Sequence, residues 1–159
     1  MNRKETIIYL AGIVDGEGYV GIKKSKYARH CPSPTYHERI QIRMIDEGAI
    51  KLFQKIFGGS YYKEKPHCAK GNLLYCYQAS DLLASKICKE LLPYLLIKKS
   101  NAQRILKLRQ SKNTIKTSER GGNRGGRQKG NGQLMSSNIL AYREQLYLDC
   151  KRHRLVLFD

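Results

Sequence analysis

Acidic residues are scarce in this sequence. Its 159 residues hold 13 Asp and Glu against 30 Lys and Arg, a formal charge of +17, and an excess of one sign that large repels itself unless something anionic is close by. A polyanionic partner is therefore expected, nucleic acid first, because each Lys or Arg set against a phosphate releases condensed counterions. Long apolar runs are lacking too: no stretch reaches the roughly 18 residues of a transmembrane helix, which weakens the rival partner, an acidic membrane surface. Met1 to Tyr9 lacks the layout of a signal peptide. The expectation is an intracellular protein, in the cytoplasm or in an organelle such as a mitochondrion or chloroplast, not secreted and not bound to membrane.

No Cys-x-x-Cys pair occurs. Cys31, Cys68, Cys76, Cys88 and Cys150 are odd in number and scattered, which fits reduced thiols better than a disulfide framework. A zinc site assembled from His30, Cys31, His37, His67, Cys68 and Cys76 would have to ignore ordinary ligand spacing, so Cys76 and Cys88 are expected as small buried apolar residues. No period of about 20 to 50 residues repeats, which argues against an internal duplication.

What is present is one ordinary domain, with 41% apolar residues to build a single core. From Thr6 to about Gly16, Leu10, Ile13 and Val14 recur at helical spacing. Gly12 and Gly16 make a second face, and since a helical glycine costs roughly 1 kcal/mol relative to alanine, either another backbone approaches there or Gly16 ends the helix. Tyr19 to Tyr27 alternates, with Val20 and Ile22 between Tyr19, Gly21, Lys23 and Ser25. Arg39 to Met44 alternates more cleanly, with Ile40, Ile42 and Met44 on one side and Arg39, Gln41 and Arg43 on the other. Arg and Gln side chains suit guanine and adenine edges in a major groove, although a charged face is also ordinary solvation.

Asp46 is placed to cap a helix that runs through Ile50, Phe53, Ile56 and Phe57 to Gly58-Gly59. Ser60 to Lys65 and Leu73 to Ala79 form a hairpin. Asp81 is placed to cap the next helix, which runs to Pro93, and a further helix spans about Lys98 to Gln110 with Lys98, Lys99, Arg104, Lys107 and Arg109 largely outward. The predicted division is a core over 1–110, a mobile basic Gly-rich loop over 111–135, and a C-terminal helix over 136–159 docked on that core. The loop either lies along phosphates or is a solvated linker. The order of elements predicts an α+β domain, a small antiparallel sheet with helices on one face and a basic open face.

Leu10-Ala11-Gly12-Ile13-Val14-Asp15-Gly16-Glu17-Gly18 resembles the signature of the LAGLIDADG homing endonucleases, with Ile-Val for Leu-Ile, Gly16 for Ala and Glu17 for Asp. Pro93-Tyr94-Leu95-Leu96-Ile97-Lys98-Lys99 looks like that family's second recurring segment, and Thr6 to Gln110 follows its order of elements. The resemblance implies the αββαββα fold with a saddle-shaped antiparallel sheet, and site-specific cleavage of double-stranded DNA at a long, pseudo-palindromic target in intron or intein homing.

Carried onto this chain, the resemblance implies that Glu17 and the Gly16 carbonyl hold Mg2+ or Mn2+, a hard cation suited to oxygen ligands. It implies that Lys98 stands near the scissile phosphate, unless Lys98 is a surface lysine and Lys99 takes its place. Gly12, Asp15 and Gly16 would lie at a homodimer interface. Gly21, Lys23, Ser25, Tyr27, Arg39, Gln41, Arg43, Lys63, Lys65 and Lys99 would contact DNA. Relatives often carry a polar residue near the end of the second strand, where this chain has Met44, Ile45 and Asp46; Asp46, Arg43 or neither takes that part. The rivals are a DNA-binding relative without cleavage, an RNA maturase, and an unrelated RNA-binding protein with tyrosines stacked on bases.

Overall fold

The computed structural model describes residues 2–25, 33–65, 71–113 and 136–155. Helix α1 (Arg3–Glu17) opens on a capping box: the Asn2 side chain accepts from the Glu5 N–H at 2.9 Å, while the Glu5 carboxylate accepts from the Asn2 N–H at 2.8 Å. It continues through Gly16 and closes at Gly18, whose N–H donates to the Val14 carbonyl. Gly16 therefore does not end the helix. Gly18 does, because a Cβ there would stand 2.7 Å from the Val14 oxygen.

Strands β1 (Gly18–Ser25) and β2 (Thr35–Met44) follow, then α2 (Glu47–Phe57), β3 (Ser60–Glu64), β4 (Leu74–Ser80), α3 (Asp81–Leu91), α4 (Lys99–Asn113) and α5 (Ser137–Leu155). The strands form one antiparallel sheet in the order β1-β2-β4-β3. The expected α+β architecture is thus present, with four strands and five helices among the described residues. Asp46 caps α2, accepting from the Ala49 N–H at 2.6 Å, and Gly58 ends that helix at φ 71°, a left-handed backbone that favours glycine.

One face of the sheet is the core. Val20, Ile22, Tyr36, Ile40, Ile42, Tyr77 and Ala79 pack against Leu10, Val14, Phe53, Ile87 and Ile105 from the helices. Each buried aliphatic side chain contributes roughly 1.5–3 kcal/mol by leaving water, so the period-two pattern of β2 orients the sheet.

Within that layer, the fully buried Glu38 accepts from Lys112 at 2.6 Å and lies 3.0 Å from an Arg109 guanidinium nitrogen. Arg109 was expected outward, but a carboxylate without water needs cations, and α4 supplies two. Asp81 does not cap α3 with its side chain. It takes φ 52° and its carboxylate meets His37 at 3.0 Å and Lys112 at 3.4 Å, leaving Ser80 at the N-cap.

Helix α5 lies against α4 and β1. Its buried Arg143 donates to the Ser111 hydroxyl and carbonyl, both at 3.1 Å, and Leu146 and Cys150 join the core. Cys76, Cys88 and Cys150 are buried free thiols. Cys31 and Cys68 lie outside the described residues, as does most of the basic loop.

Candidate functional site

The sheet's second face carries the polar half of each alternating strand. Arg39 pairs with Gly21 on β1 and Ser80 on β4; Gln41 pairs with Tyr19 and Gln78; Arg43 lies opposite Cys76. Lys23 and Ser25 continue the face as exposed residues. With its amide oxygen turned toward these donors, Gln41 accepts from Arg43 Nε and Nη2 at 3.2 Å and from the Tyr62 hydroxyl at 2.9 Å. Arg43 Nε also stands 3.1 Å from Glu64. The face is rich in donors and acceptors that are already oriented by one another.

Some residues expected to contact DNA are not brought to this face. Lys63 belongs to the opposite parity of β3: it pairs with Tyr75, its ammonium is 3.7 Å from Glu47 of α2, and it sits 5.4 Å from the Tyr75 ring centroid. The β3–β4 register turns it toward the helices. Gly21 has the right parity, yet the Tyr19 ring lies across it, with a hypothetical Cβ only 2.7 Å from the Tyr19 hydroxyl. Its contribution is room for Tyr19, a residue sequence reasoning missed. Lys65 is exposed just past the end of β3, Lys99 is exposed at the start of α4, and Tyr27 lies outside the described residues.

Glu17, the last residue of α1, is exposed and lines a concavity of about 340 Å³ together with Tyr19, Lys23, Gln41 and Arg43. Helix geometry thus delivers a carboxylate to the edge of the polar face. Behind it, Lys98 Nζ donates to the Val14 and Asp15 carbonyls, both at 2.8 Å, and stands 3.5 Å from the Gly16 carbonyl. A cation at a helix C-terminus meets the negative end of the macrodipole. Burial pushes the Lys98 ammonium below its ordinary pKa, with Asp15 and Glu17 pulling the other way.

Asp15 is engaged within its own chain. Its carboxylate accepts from the Leu96 N–H at 2.6 Å and the Lys98 N–H at 2.9 Å. At the end of β2, Asp46 is occupied as the cap of α2, whereas Arg43 lines the concavity with Glu17. So does Gln41, two residues before Arg43 and three before Met44 in the strand.

The other side of α1 is open. Ile8, Gly12 and Gly16 recur every fourth residue; Ile8 is 45% exposed, and a Cβ added to either glycine would meet nothing within 4 Å. Among the described residues nothing requires these glycines. Tyr9, Leu96 and Ile97 are also exposed apolar residues.

No protein-family model matches the sequence, and no curated protein matches it. Solved structures do. The homing endonuclease I-CvuI, in complex with the I-CreI target in the presence of Mg, superposes with a TM-score of 0.68 over 94% of this chain and 82% of that one, at 14% identity. The archaeal intron-encoded homing endonuclease I-Vdi141I, complexed with DNA, gives 0.67 over 96% and 86%, at 11% identity. The LAGLIDADG homing endonuclease I-GzeII, in complex with its DNA target, gives 0.58 at 18% identity; there the match takes 91% of this chain but 43% of the other. At such identities the likeness is one of fold, and the fold is that of the LAGLIDADG homing endonucleases.

Proposed function

From a chain with the fold of the LAGLIDADG homing endonucleases, we propose a site-specific double-stranded DNA endonuclease that acts as a homodimer with Mg2+ or Mn2+, in intron or intein homing. The observation that carries this reading is the position of Glu17: an exposed carboxylate at the end of α1 that opens onto the same concavity as Tyr19, Lys23, Gln41 and Arg43. A protein that only bound DNA would gain nothing from a negative charge where phosphates gather.

The donors present fit a hard divalent cation. Glu17 offers carboxylate oxygens, and the Gly16 carbonyl is the least engaged of the three facing Lys98. Among the described residues no three His, Cys, Asp or Glu side chains form a complete metal group, so water and DNA phosphates would supply the remaining ligands. Bound there, such an ion supplies an activated water and stabilises the leaving oxygen. Lys98 holds a fixed positive charge behind Glu17, while Arg39, Gln41 and Arg43 position the duplex by its base edges.

A double-strand break needs two such carboxylates about a common axis, and this chain carries one signature segment. A closed two-fold pair supplies both with a single surface used twice. The open face of Ile8, Gly12 and Gly16 suits that pairing, since helices approach closely only where side chains are absent.

The test is nicking of a supercoiled plasmid that carries the uninterrupted insertion locus of the gene, with Mg2+ and with chelator. Glu17→Gln is expected to abolish cleavage while keeping DNA affinity within about tenfold, because phosphate contacts dominate affinity. Cleavage by Glu17→Gln at the wild-type rate would remove Glu17 from the chemistry. Tight binding to RNA with no cleavage of DNA would replace the endonuclease by a splicing role.

A further inference from the structure

On the open face of the four strands, one side chain alone among the described residues is acidic. It is Glu64, at the end of β3, 28% exposed. A carboxylate on a surface meant for a polyanion repels it at any sequence, so its presence on this strongly basic chain asks for a compensating role. Its contacts suggest one. Glu64 Oε2 lies 3.1 Å from Arg43 Nε and accepts from the Cys76 thiol at 3.4 Å, while the Gln41 amide oxygen accepts from Nε and Nη2 of the same guanidinium at 3.2 Å. Arg43, half exposed, is thereby fixed by its Nε edge, and Glu64 Oε1 takes part in none of these contacts.

We propose that Arg43 and Glu64 read one G·C base pair as a unit, Arg43 donating to guanine O6 and N7 and Glu64 accepting from the cytosine N4 amino group. This rests on the DNA-site reading above. In the major groove a G·C pair presents two acceptors followed by a donor, and the two side chains present donors followed by an acceptor, locked together by their own ion pair. Across an A·T pair the carboxylate would meet the thymine O4 acceptor or the methyl group. Glu64 thus specifies mainly by rejection, at some cost in total affinity.

The experiment selects bound duplexes from a randomised library, using the full chain in Ca2+ so that the strands stay intact. Wild type, Glu64→Gln and Arg43→Ala are run in parallel. The wild-type pool is expected to contain a G·C column that Glu64→Gln relaxes by about tenfold, with every other column kept. Arg43→Ala should relax the same column. An unchanged G·C column in the Glu64→Gln pool overturns the proposal alone, and so does relaxation of different columns by the two variants. Loss of every column in Glu64→Gln makes Glu64 structural and also overturns it. A wild-type pool with no consensus sinks the DNA-site reading, and this proposal with it.

Discussion

Lys98 donates to Asp15 twice, once from its side chain to the backbone and once from its backbone to the side chain. The Lys98 ammonium donates to the Asp15 carbonyl at 2.8 Å, and the Lys98 backbone N–H donates to the Asp15 carboxylate at 2.9 Å. The end of α1, where Glu17 emerges, is thereby fastened to the residues just before α4. Asp15→Ala removes the acceptor for two backbone donors and is expected to cost about 1–3 kcal/mol. Thermal unfolding should fall by roughly 2–4 °C for each kcal/mol. In a double-mutant cycle with Lys98→Met, the two changes should couple by about 0.5–3 kcal/mol. Additive effects would show that the clasp contributes nothing beyond its parts.

Gly12→Leu separates fold from assembly. Because a Cβ there meets nothing within 4 Å among the described residues, the fold should tolerate the side chain and gain a fraction of the roughly 1 kcal/mol that helical glycine costs. Self-association, measured by sedimentation over a range of concentrations, should weaken by at least about tenfold. A variant that associates as tightly as wild type places the contact between copies elsewhere.

Glu38 is fully buried between Arg109 and Lys112, whose side chains are each 19% exposed. Glu38→Ala removes the buried carboxylate that Arg109 and Lys112 share and is expected to destabilise by about 3–5 kcal/mol, more than truncation of an exposed pair. Chemical denaturation reads this directly. A loss below about 1 kcal/mol would show that water reaches the cations.

The docking of α5 should depend on acid. Hydrogen bonds from Lys24 and Tyr36 hold the Glu144 carboxyl below its ordinary pKa of 4.5, so its contribution is complete above that value and is lost as pH falls through the lower folded one. Glu144→Gln should therefore cost up to about 1 kcal/mol at pH 7, since the pair is a third exposed. The difference from wild type should vanish in strong acid. A difference constant with pH would assign Glu144 a packing role instead.

How legible this molecule was in its sequence depends on the range of each signal. The Asp46 cap, the stop at Gly58 and the two faces of β2 are local, and each is visible within a few residues. The register of β3 on β4 is not local, which is why Lys63 looked like a DNA contact and turned out to face α2. The Tyr19 ring over Gly21 depends on a side-chain direction that alternation does not reveal. Asp15 was visible only as a charge near a helix end; its partners stand at Leu96 and Lys98, far along the chain. The concavity around Glu17 joins α1, β1 and β2 and exists only once they are paired.

The strict two-residue period of β2 divides its letters into two nearly independent texts. Ile40 and Ile42 answer to the core, while Arg39, Gln41 and Arg43 answer to whatever lies against the open face. A lineage can therefore revise what it recognises one residue at a time without renegotiating how it folds. Among descendants of this chain, divergence should fall in stripes, the odd positions of β2 and the even positions of β4 drifting with the target while their neighbours stand still.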